Sequence, residues 1–481
     1  MKCPVPCPKN IELAGKTVPA SFTAEAFDSV FAPALRVFRT YARRAFGELT
    51  DGNGKLTLVL EPGLGDGYRI SIGEKTVLTA SNNTGMNYAF ATLLQLAERT
   101  DSGVVFPTCE ISDKPDSAWR GIMLDLVRCY HEIEYVYGVA DLCWFYKMNR
   151  LQLHLTDDQG VRFPFESLPN AVSAEHYTKQ ELSALTDYCA DRGIVLVPEI
   201  DAPGHFRAFN KAYPELFMVA PSAQGDNDDK AMSIMRMDEP VFDIIKAMYA
   251  EVAEVFTESP WIHIGGDEAD IAKWSTCKIS EAYREAHGLK DTEELYGHCV
   301  ARLAQIVLDM GRTPVAWEGF SENCNDMIPK ETLVFVWESL YQTAPPLLNS
   351  GFEIINASWQ PLYIVSPERM WEPDEILDWE KNIWRNWFEK SAAYASPVVV
   401  PETSAIAGGQ ICAWGDKMQP FWAYAPRHDM LRDEFASIRA RTPALAQKVW
   451  TSYNSPDKES FKSALSELDP LLTKLLSKGN K

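Results

Sequence analysis

The spacing of apolar positions changes character near residue 119. Upstream, strand-like runs fall at 56–60, 68–72 and 76–78, with a glycine-rich turn at 63–67. A helical spacing follows at 85–98, where Met86, Ala89, Leu93, Leu94 and Leu96 lie on or near one face. This pattern predicts an α+β accessory domain at 1–115, joined to the rest through ISDKPDSAW at 111–119. From Trp119 onward, short β-branched or apolar runs alternate with helical stretches. Strands are predicted at 121–126, 150–155, 194–199, 261–264, 313–317, 332–337, 352–357 and 409–414. Helices are predicted at 134–148, 179–192, 240–257, 280–310 and 428–450. The fold class is therefore α/β: a (β/α)8 TIM barrel at 116–450 preceded by the small α+β domain. A doubly wound sheet is the competing architecture, but no glycine-rich phosphate turn follows its first strand. Residues 451–481 read as one more amphipathic helix, carrying Phe461, Leu465, Leu468, Leu471, Leu472 and Leu475, packed on the barrel.

Composition narrows the function classes. The 481 residues are 46% hydrophobic and 23% charged, which is enough to bury a large core. The formal net charge of −21 speaks against a nucleic-acid partner, which requires a basic footprint. No apolar run approaches the roughly 18 residues of a membrane span, so no membrane association is expected. The start, MKCPVPCPKNIEL, has no apolar signal region, and the ten cysteines are scattered, so a cytoplasmic location is expected. Cys3 and Cys7 lack a second Cys/His pair to complete a zinc site. Ten of the 14 tryptophans lie after residue 310. They read either as core or as flat walls for a ligand with apolar faces, such as a sugar. Trp371 to Trp387 reads as lid, subunit contact or plain packing.

In a barrel, chemistry collects at the C-terminal strand ends. Asp125 and Arg128 follow the first strand, TDDQG (156–160) the second, DAPGH (201–205) the third and GGDE (265–268) the fourth. Trp317-Glu318 and Trp337-Glu338 end the fifth and sixth, Trp359 and Tyr363 follow the seventh, and Trp414-Gly415-Asp416 end the eighth. Carboxylates with flat rings suit acid–base chemistry on a sugar. Asp267 and Glu268 are neighbours, so on a strand end their side chains point to different sides and address different atoms of one ligand. His205, His263, Asp157, Asp267 and Glu268 are the residue types of a hydrolytic metal site. No HExxH helix anchors one, His263 reads as a core residue, and neither metal nor cofactor is expected. No GxSxG elbow is present, and nothing marks an activating histidine for Cys129.

Six motifs in order carry a resemblance. They are RGIMLDLVR (120–128), KMNRLQLHLTDDQG (147–160), VPEIDAPGH (197–205), HIGGDE (263–268), VAWEG (315–319) and GGQICAWGD (408–416). Over about residues 50–450 the chain resembles the family-20 glycoside hydrolases, the β-N-acetylhexosaminidases. That resemblance implies exo-acting hydrolysis of terminal, non-reducing β-linked N-acetylglucosamine or N-acetylgalactosamine from a small oligosaccharide or glycan terminus. It implies substrate-assisted, retaining catalysis, in which the 2-acetamido oxygen attacks the anomeric carbon and gives an oxazolinium intermediate. Glu268 corresponds to the general acid and base, with its pKa raised by a partly apolar site, and Asp267 to the carboxylate that holds the acetamide N–H.

The remaining roles follow position by position. Arg128 corresponds to the grip on the 3- and 4-hydroxyls, with Arg120 structural. Asp157 and His205 correspond to the pair behind the general acid. Trp317, Trp337 and Trp414 correspond to the walls of the acetamide pocket. Tyr363 corresponds to the hydroxyl that holds the acetamide oxygen, and Asp416 to the acid that binds the 4- and 6-hydroxyls. The family's Tyr-x-Asp reads Tyr363-Ile364-Val365 here, and Val365 cannot bind the 6-hydroxyl. That contact passes to Asp416 or to the Trp-rich segment 369–387, and the site is expected to tolerate 6-substituted sugars. The alternatives are a disaccharide-releasing relative and a non-catalytic sugar-binding protein on the same fold. A homodimer is compatible with each of these readings.

Overall fold

A computed structural model describes residues 3–47, 49, 55–219, 232–365, 369–451 and 456–477. The N-terminal unit is a seven-stranded mixed sheet. The strands expected at 56–60, 68–72 and 76–78 form at Leu56–Leu60, Tyr68–Ile72 and Thr76–Ala80. The expected helix runs Asn83–Leu96, capped by the Asn82 side chain, which accepts the Gly85 N–H at 2.8 Å. It stops at Leu96 because Glu98–Thr100 turns back as a strand on Gly103–Asp113. This helix is buried nearly all round, since the sheet covers one side and the barrel helix Ile133–Phe145 touches the other. The long edge strand Asn10–Pro19 was not legible, because it is mostly exposed and so carries no apolar alternation. The unit also holds the helix Ala32–Phe46, with Leu35, Val37, Phe38, Tyr41 and Ala42 buried.

Eight parallel strands close the barrel: β1 (Trp119–Asp125), β2 (Arg150–His154), β3 (Val195–Ala202), β4 (Trp261–Gly265), β5 (Thr313–Trp317), β6 (Leu333–Val336), β7 (Ile354–Asn356) and β8 (Ile406–Ala413). Each pairs with its neighbour in sequence, and β8 pairs with both β1 and β7 to complete the ring. β7 is short, so the two-residue strand Tyr363–Ile364 takes its place beside the upper half of β8, with Tyr363 opposite Cys412. The helix expected at 280–310 is two helices, Lys278–Ala286 and Thr292–Asp309. Gly288, at φ 65°, ends the first, and Asp291 caps the second by accepting the Glu293 and Glu294 N–H groups.

The barrel interior holds a polar column. Trp119 donates to Gln410 (2.9 Å), Gln410 to Gln152 (2.7 Å) and Gln152 to Glu199 (2.8 Å), and Trp317 donates to Glu199 from the other side (2.6 Å). Buried polar groups must be paired, and the column pairs these across strands distant in sequence.

The seam between the two units is equally built. Arg120 donates to the Lys147 and Ser117 carbonyls and lies over the Tyr88 and Trp450 rings, which makes it structural. The helix Arg427–Trp450 packs on β8 and β1 and delivers Trp450 to Asp113 at 3.0 Å. The last helix, Lys458–Leu476, touches both Ala32–Phe46 and Ile133–Phe145, so it bridges the two units instead of resting on the barrel alone. Among the described residues, no helix is long and apolar enough to cross a membrane.

Candidate active site

The strand ends converge on one cavity of about 610 Å3, open to solvent. Its first anchor is Asp125 at the end of β1, which accepts the N–H groups of Val127, Arg128 and Gly415 and so ties the ends of β1 and β8 together. Arg128 is gripped by Asp125 (3.2 Å) and Asp157 (2.8 Å) and lies over the Trp414 ring. His154, the last residue of β2, bridges Asp157 (Nε2, 2.9 Å) and Glu199 (Nδ1, 2.8 Å).

The centre is His205. Its Nδ1 lies 3.4 Å from Asp157, and its Nε2 lies 3.7 Å from Asp267 and 3.5 Å from Glu268. Asp267 and Glu268 thus reach the same nitrogen, and the strand-like alternation expected of them does not hold. β4 stops at Gly265, and the chain turns through Gly265 (φ 75°), Gly266 (φ 94°) and Glu268 (φ 47°). At Gly265 the turn requires glycine, because a Cβ there would sit 1.7 Å from Asp201 Oδ1. Asp267 is nearly buried, while the Glu268 side chain keeps half its surface in solvent.

This crowding sets the charges. Burial opposes the charge on Asp157, yet Arg128, His205 and His154 hold its carboxyl well below the usual range. Burial likewise opposes the His205 cation, but Asp157 and the two acids at Nε2 keep it protonated well above the ordinary imidazole value. The His205 hydrogen bond holds Glu268 below the usual carboxylate range, which corrects the expectation of a raised value. The raised group is instead Asp267, pushed up by burial, and burial together with Asp267 pushes Asp201 up further. Glu199, between His154 and His263, is held at about 2 despite burial. His263 is a fully buried core residue, lowered to about 4 by burial.

The aromatic wall is Trp337, Trp359, Tyr363 and Trp414. Trp337 and Tyr363 stack at 6.0 Å, with Trp359 5.2 Å from Tyr363. The Tyr363 hydroxyl and the Asp267 Oδ1 are buried with no hydrogen-bond partner among the described residues. Trp317 does not line the cavity. It lies a layer below, 1% exposed, its ring against Trp337 and Trp414 and its N–H on Glu199. Glu318 also turns away and accepts backbone N–H groups of 338–342.

Arg128, Asp157, His205, Asp267, Glu268, Trp337, Tyr363, Trp414 and Asp416 all line the cavity, together with Val365. His154, Asp201, Trp359, Arg369 and Lys417 line it too; the strand-end pattern includes Asp201 and Trp359, and the segment 369–387 includes Arg369, but His154 and Lys417 are additions. His154, Asp201 and Trp359 sit at strand ends and were recoverable from position. Arg369 and Lys417 lie in loops with no periodic signal. In the Trp-rich segment, Trp379 and Trp384 are buried packing residues, with the Trp384 N–H on the Val336 carbonyl.

Three groups offer ligand atoms close enough for a cation: His154, Glu199 and Asp201; Asp157, Asp158 and His205; and Asp201, His205 and Asp267. Their donors are largely engaged. Arg128 and two imidazoles hold Asp157, and His154, Gln152 and Trp317 hold Glu199. The set fits protonated imidazoles bridging acids better than a metal centre.

Carboxylates bridged by imidazoles, beside flat rings at the C-terminal mouth of a (β/α)8 barrel, define a carbohydrate-type acid–base site. Residues 118–451 match the catalytic domain of glycosyl hydrolase family 20, and residues 6–114 match domain 2 of that family. The chain belongs to glycosyl hydrolase family 20. A Vibrio furnissii β-hexosaminidase is 30% identical over 401 residues, 76% of this chain and 63% of the relative, so the match spans somewhat under two thirds of that protein. An Akkermansia muciniphila β-hexosaminidase is 28% identical over 84% of this chain and 83% of its own. The fold is similar to that of a Vibrio harveyi exo β-N-acetylglucosaminidase solved with N-acetylglucosamine (TM-score 0.79, 23% identity, 98% of this chain and 78% of that one). It is also similar to a β-N-acetylhexosaminidase from Bacteroides fragilis (TM-score 0.78, 22% identity, 99% and 96%).

Proposed function

We propose that the chain is an exo-acting β-N-acetylhexosaminidase that removes terminal β-linked N-acetylglucosamine or N-acetylgalactosamine from a small oligosaccharide or glycan terminus, by substrate-assisted catalysis. The observation that carries the reading is the shared imidazole: Asp267 and Glu268 both approach His205 Nε2, at 3.7 and 3.5 Å. Adjacent acids that share one imidazole accord with a nucleophile supplied by the substrate's own acetamide oxygen, the exception among glycosidases to two carboxylates on opposite faces of the sugar.

In this reading Asp267 Oδ1, buried and unpaired among the described residues, accepts the acetamide N–H. Tyr363, whose hydroxyl burial keeps protonated, donates to the acetamide oxygen. Trp337, Trp359 and Trp414 hold the acetamide methyl against flat faces, and Arg128 and Asp416 take ring hydroxyls. Glu268 is ionised while its side chain is half in water. A bound sugar strips that water and disfavours the carboxylate, so the proton on His205 Nε2 passes to Glu268 and from there to the leaving oxygen. After departure Glu268 takes a proton from the attacking water.

The test is hydrolysis of an aryl β-N-acetylglucosaminide. Glu268→Gln should abolish turnover, Asp267→Ala should cut it severely, and a thiazoline mimic of the oxazolinium ion should bind tightly. Equal activity on the plain β-glucoside would overturn the mechanism. The cytoplasm is the location that accords with a chain whose ten cysteines are all free thiols and mostly buried.

A further inference from the structure

We propose that Glu318 is a positioning residue for the leaving group: its buried carboxylate holds the loop 338–342 so that Tyr341 stands beside Glu268 as a contact for the departing sugar. The inference rests on the hexosaminidase reading above and adds to it the residues that meet the far side of the scissile bond. Glu318 follows β5, is fully buried, and takes no part in the acid–base steps.

Both oxygens of Glu318 are engaged by this one loop. Oε2 accepts the N–H groups of Glu338 (3.2 Å) and Ser339 (2.7 Å), and Oε1 accepts those of Leu340 (3.0 Å), Tyr341 (3.0 Å) and Gln342 (3.4 Å). Successive amides aimed at one point form a nest for an anion, and here the anion is a side chain of the protein itself. Burial pushes the Glu318 carboxyl up to about 7, and the loop's N–H groups pull against that rise. The nest holds Ser339 at φ 53°, a left-handed conformation that costs a residue with a Cβ. The loop's carbonyls face the other way. Asn386 and Ser391 donate to the Glu338 carbonyl, and the Ala392 N–H donates to that of Ser339. The loop is thus fixed from both sides, and Glu318 is the inner support.

Two relationships tie this support to the chemistry. The backbone next to Glu318 lies against the turn that carries the acids: a Cβ on Gly319 would fall 1.9 Å from the Gly266 carbonyl oxygen and 2.7 Å from Asp267 Cα. At the loop, burial pushes the Tyr341 hydroxyl up, and the charges of Glu268 and Asp267 push it further, so Tyr341 lies within their reach. Tyr341 does not line the cavity assigned to the hexosamine, and Glu268 keeps half its side chain in solvent. A group beside Glu268 but outside that cavity meets what Glu268 protonates, the leaving oxygen and the sugar attached to it. Leu340 and Tyr341 are 38% and 36% exposed. Together they offer an apolar surface with one hydroxyl, which fits the flat side of a pyranose.

The experiment compares kcat/KM on the β-linked disaccharide of N-acetylglucosamine with kcat/KM on methyl β-N-acetylglucosaminide, whose leaving group is too small to span to the loop. The proteins are the wild type, Glu318→Gln, Tyr341→Ala and the double variant. Glu318→Gln keeps the shape but turns an amide NH2 toward N–H groups that need an acceptor. Each single variant should lower the ratio of disaccharide to methyl glycoside about tenfold. The double variant should lower it no further, because one residue acts through the other. Glu318→Asp, which keeps the charge, should restore part of the ratio, and it replaces Glu318→Gln in the cycle if that variant does not fold. Equal losses on the two substrates, or additive losses in the double variant, overturn the proposal. Hydrogen exchange read by mass spectrometry tests the support apart from turnover: the amides of 338–342 should exchange faster in Glu318→Gln than in the wild type or Tyr341→Ala. Unchanged exchange overturns the support. The thiazoline mimic carries no leaving group and should bind the variants about as tightly as the wild type, and weakened binding would place Glu318 with the hexosamine pocket instead. A wild type that turns over neither substrate, with the exchange result intact, overturns the hexosaminidase reading alone.

Discussion

His205 Nε2 stands 3.5 Å from the Glu268 carboxylate, and both residues hold left-handed backbone conformations, with φ of 52° and 47°. Such conformations cost a residue with a Cβ about 1 kcal/mol or more each. The surrounding turns maintain them, so the protein accepts strain to bring one imidazole between Asp157 and the two acids. The electrostatics of the site are organised from that imidazole outward.

Replacing His205 should therefore move Glu268 in a known direction. A nearby cation favours the ionised carboxylate, and its loss lets the carboxyl rise. In His205→Gln the proton that the imidazole supplies is gone and Glu268 must carry it alone, so the alkaline limb of the kcat/KM profile should shift to lower pH, with kcat lower by about a hundredfold. A limb that stays in place would mean that His205 does not set the protonation of Glu268.

Gly265 and Gly351 share a positive φ, 75° and 89°, but differ in surroundings. A Cβ on Gly265 would strike Asp201, whereas one on Gly351 would meet nothing within 4 Å. Gly351→Ala should cost about 1 kcal/mol from backbone strain alone. Gly265→Ala should cost about 3 kcal/mol or more and lower kcat/KM as well, read from urea midpoints and initial rates. Equal costs would place the Gly265 requirement in the backbone only.

Trp317 and Trp359 should separate packing from binding. Trp317→Phe removes a 2.6 Å donor from the buried, ionised Glu199 and should destabilise the fold by about 3 kcal/mol. Trp359, whose N–H has no partner among the described residues, lines the cavity. Trp359→Phe should raise KM with a small change in denaturation midpoint. The opposite pattern would place Trp317, not Trp359, on the binding wall.

Acid stability should fall in two windows. His263 is lowered to about 4 by burial, against an ordinary value of 6.5, so below pH 6.5 the unfolded chain takes up a proton that the native chain refuses. Stability from this group is complete above pH 6.5 and is lost as pH falls toward 4, on the order of 3 kcal/mol at most. Glu199, held at about 2 against 4.5, adds a loss that begins near pH 4.5 and continues down to 2. His263→Phe should flatten the upper window in denaturation curves taken from pH 7 to 4. An unchanged slope would contradict a neutral native His263.

The sequence by itself determined the barrel and which residues meet at its mouth. Alternating strand and helix periods place eight strands, and position at a strand's C-terminal end selects Arg128, Asp157, His205, Asp267 and Trp414 whatever the loops do. That reading works because the closed ring gathers the residues just past each strand at one mouth. It fails where periodicity stops. Asp267 and Glu268 lie beyond the end of β4, so only the glycine turn decides that both reach His205. The sign of the Glu268 shift depends on a cation 63 residues away in sequence, and the burial of Trp317 depends on an acceptor 118 residues away. Arg369 and Lys417 lie outside the long periodic segments, and only the bridge at Met370 and the turn after β8 bring them to the cavity. Charge and contact at this site are pairwise properties of distant residues, and the closed ring of strands is what makes those residues neighbours.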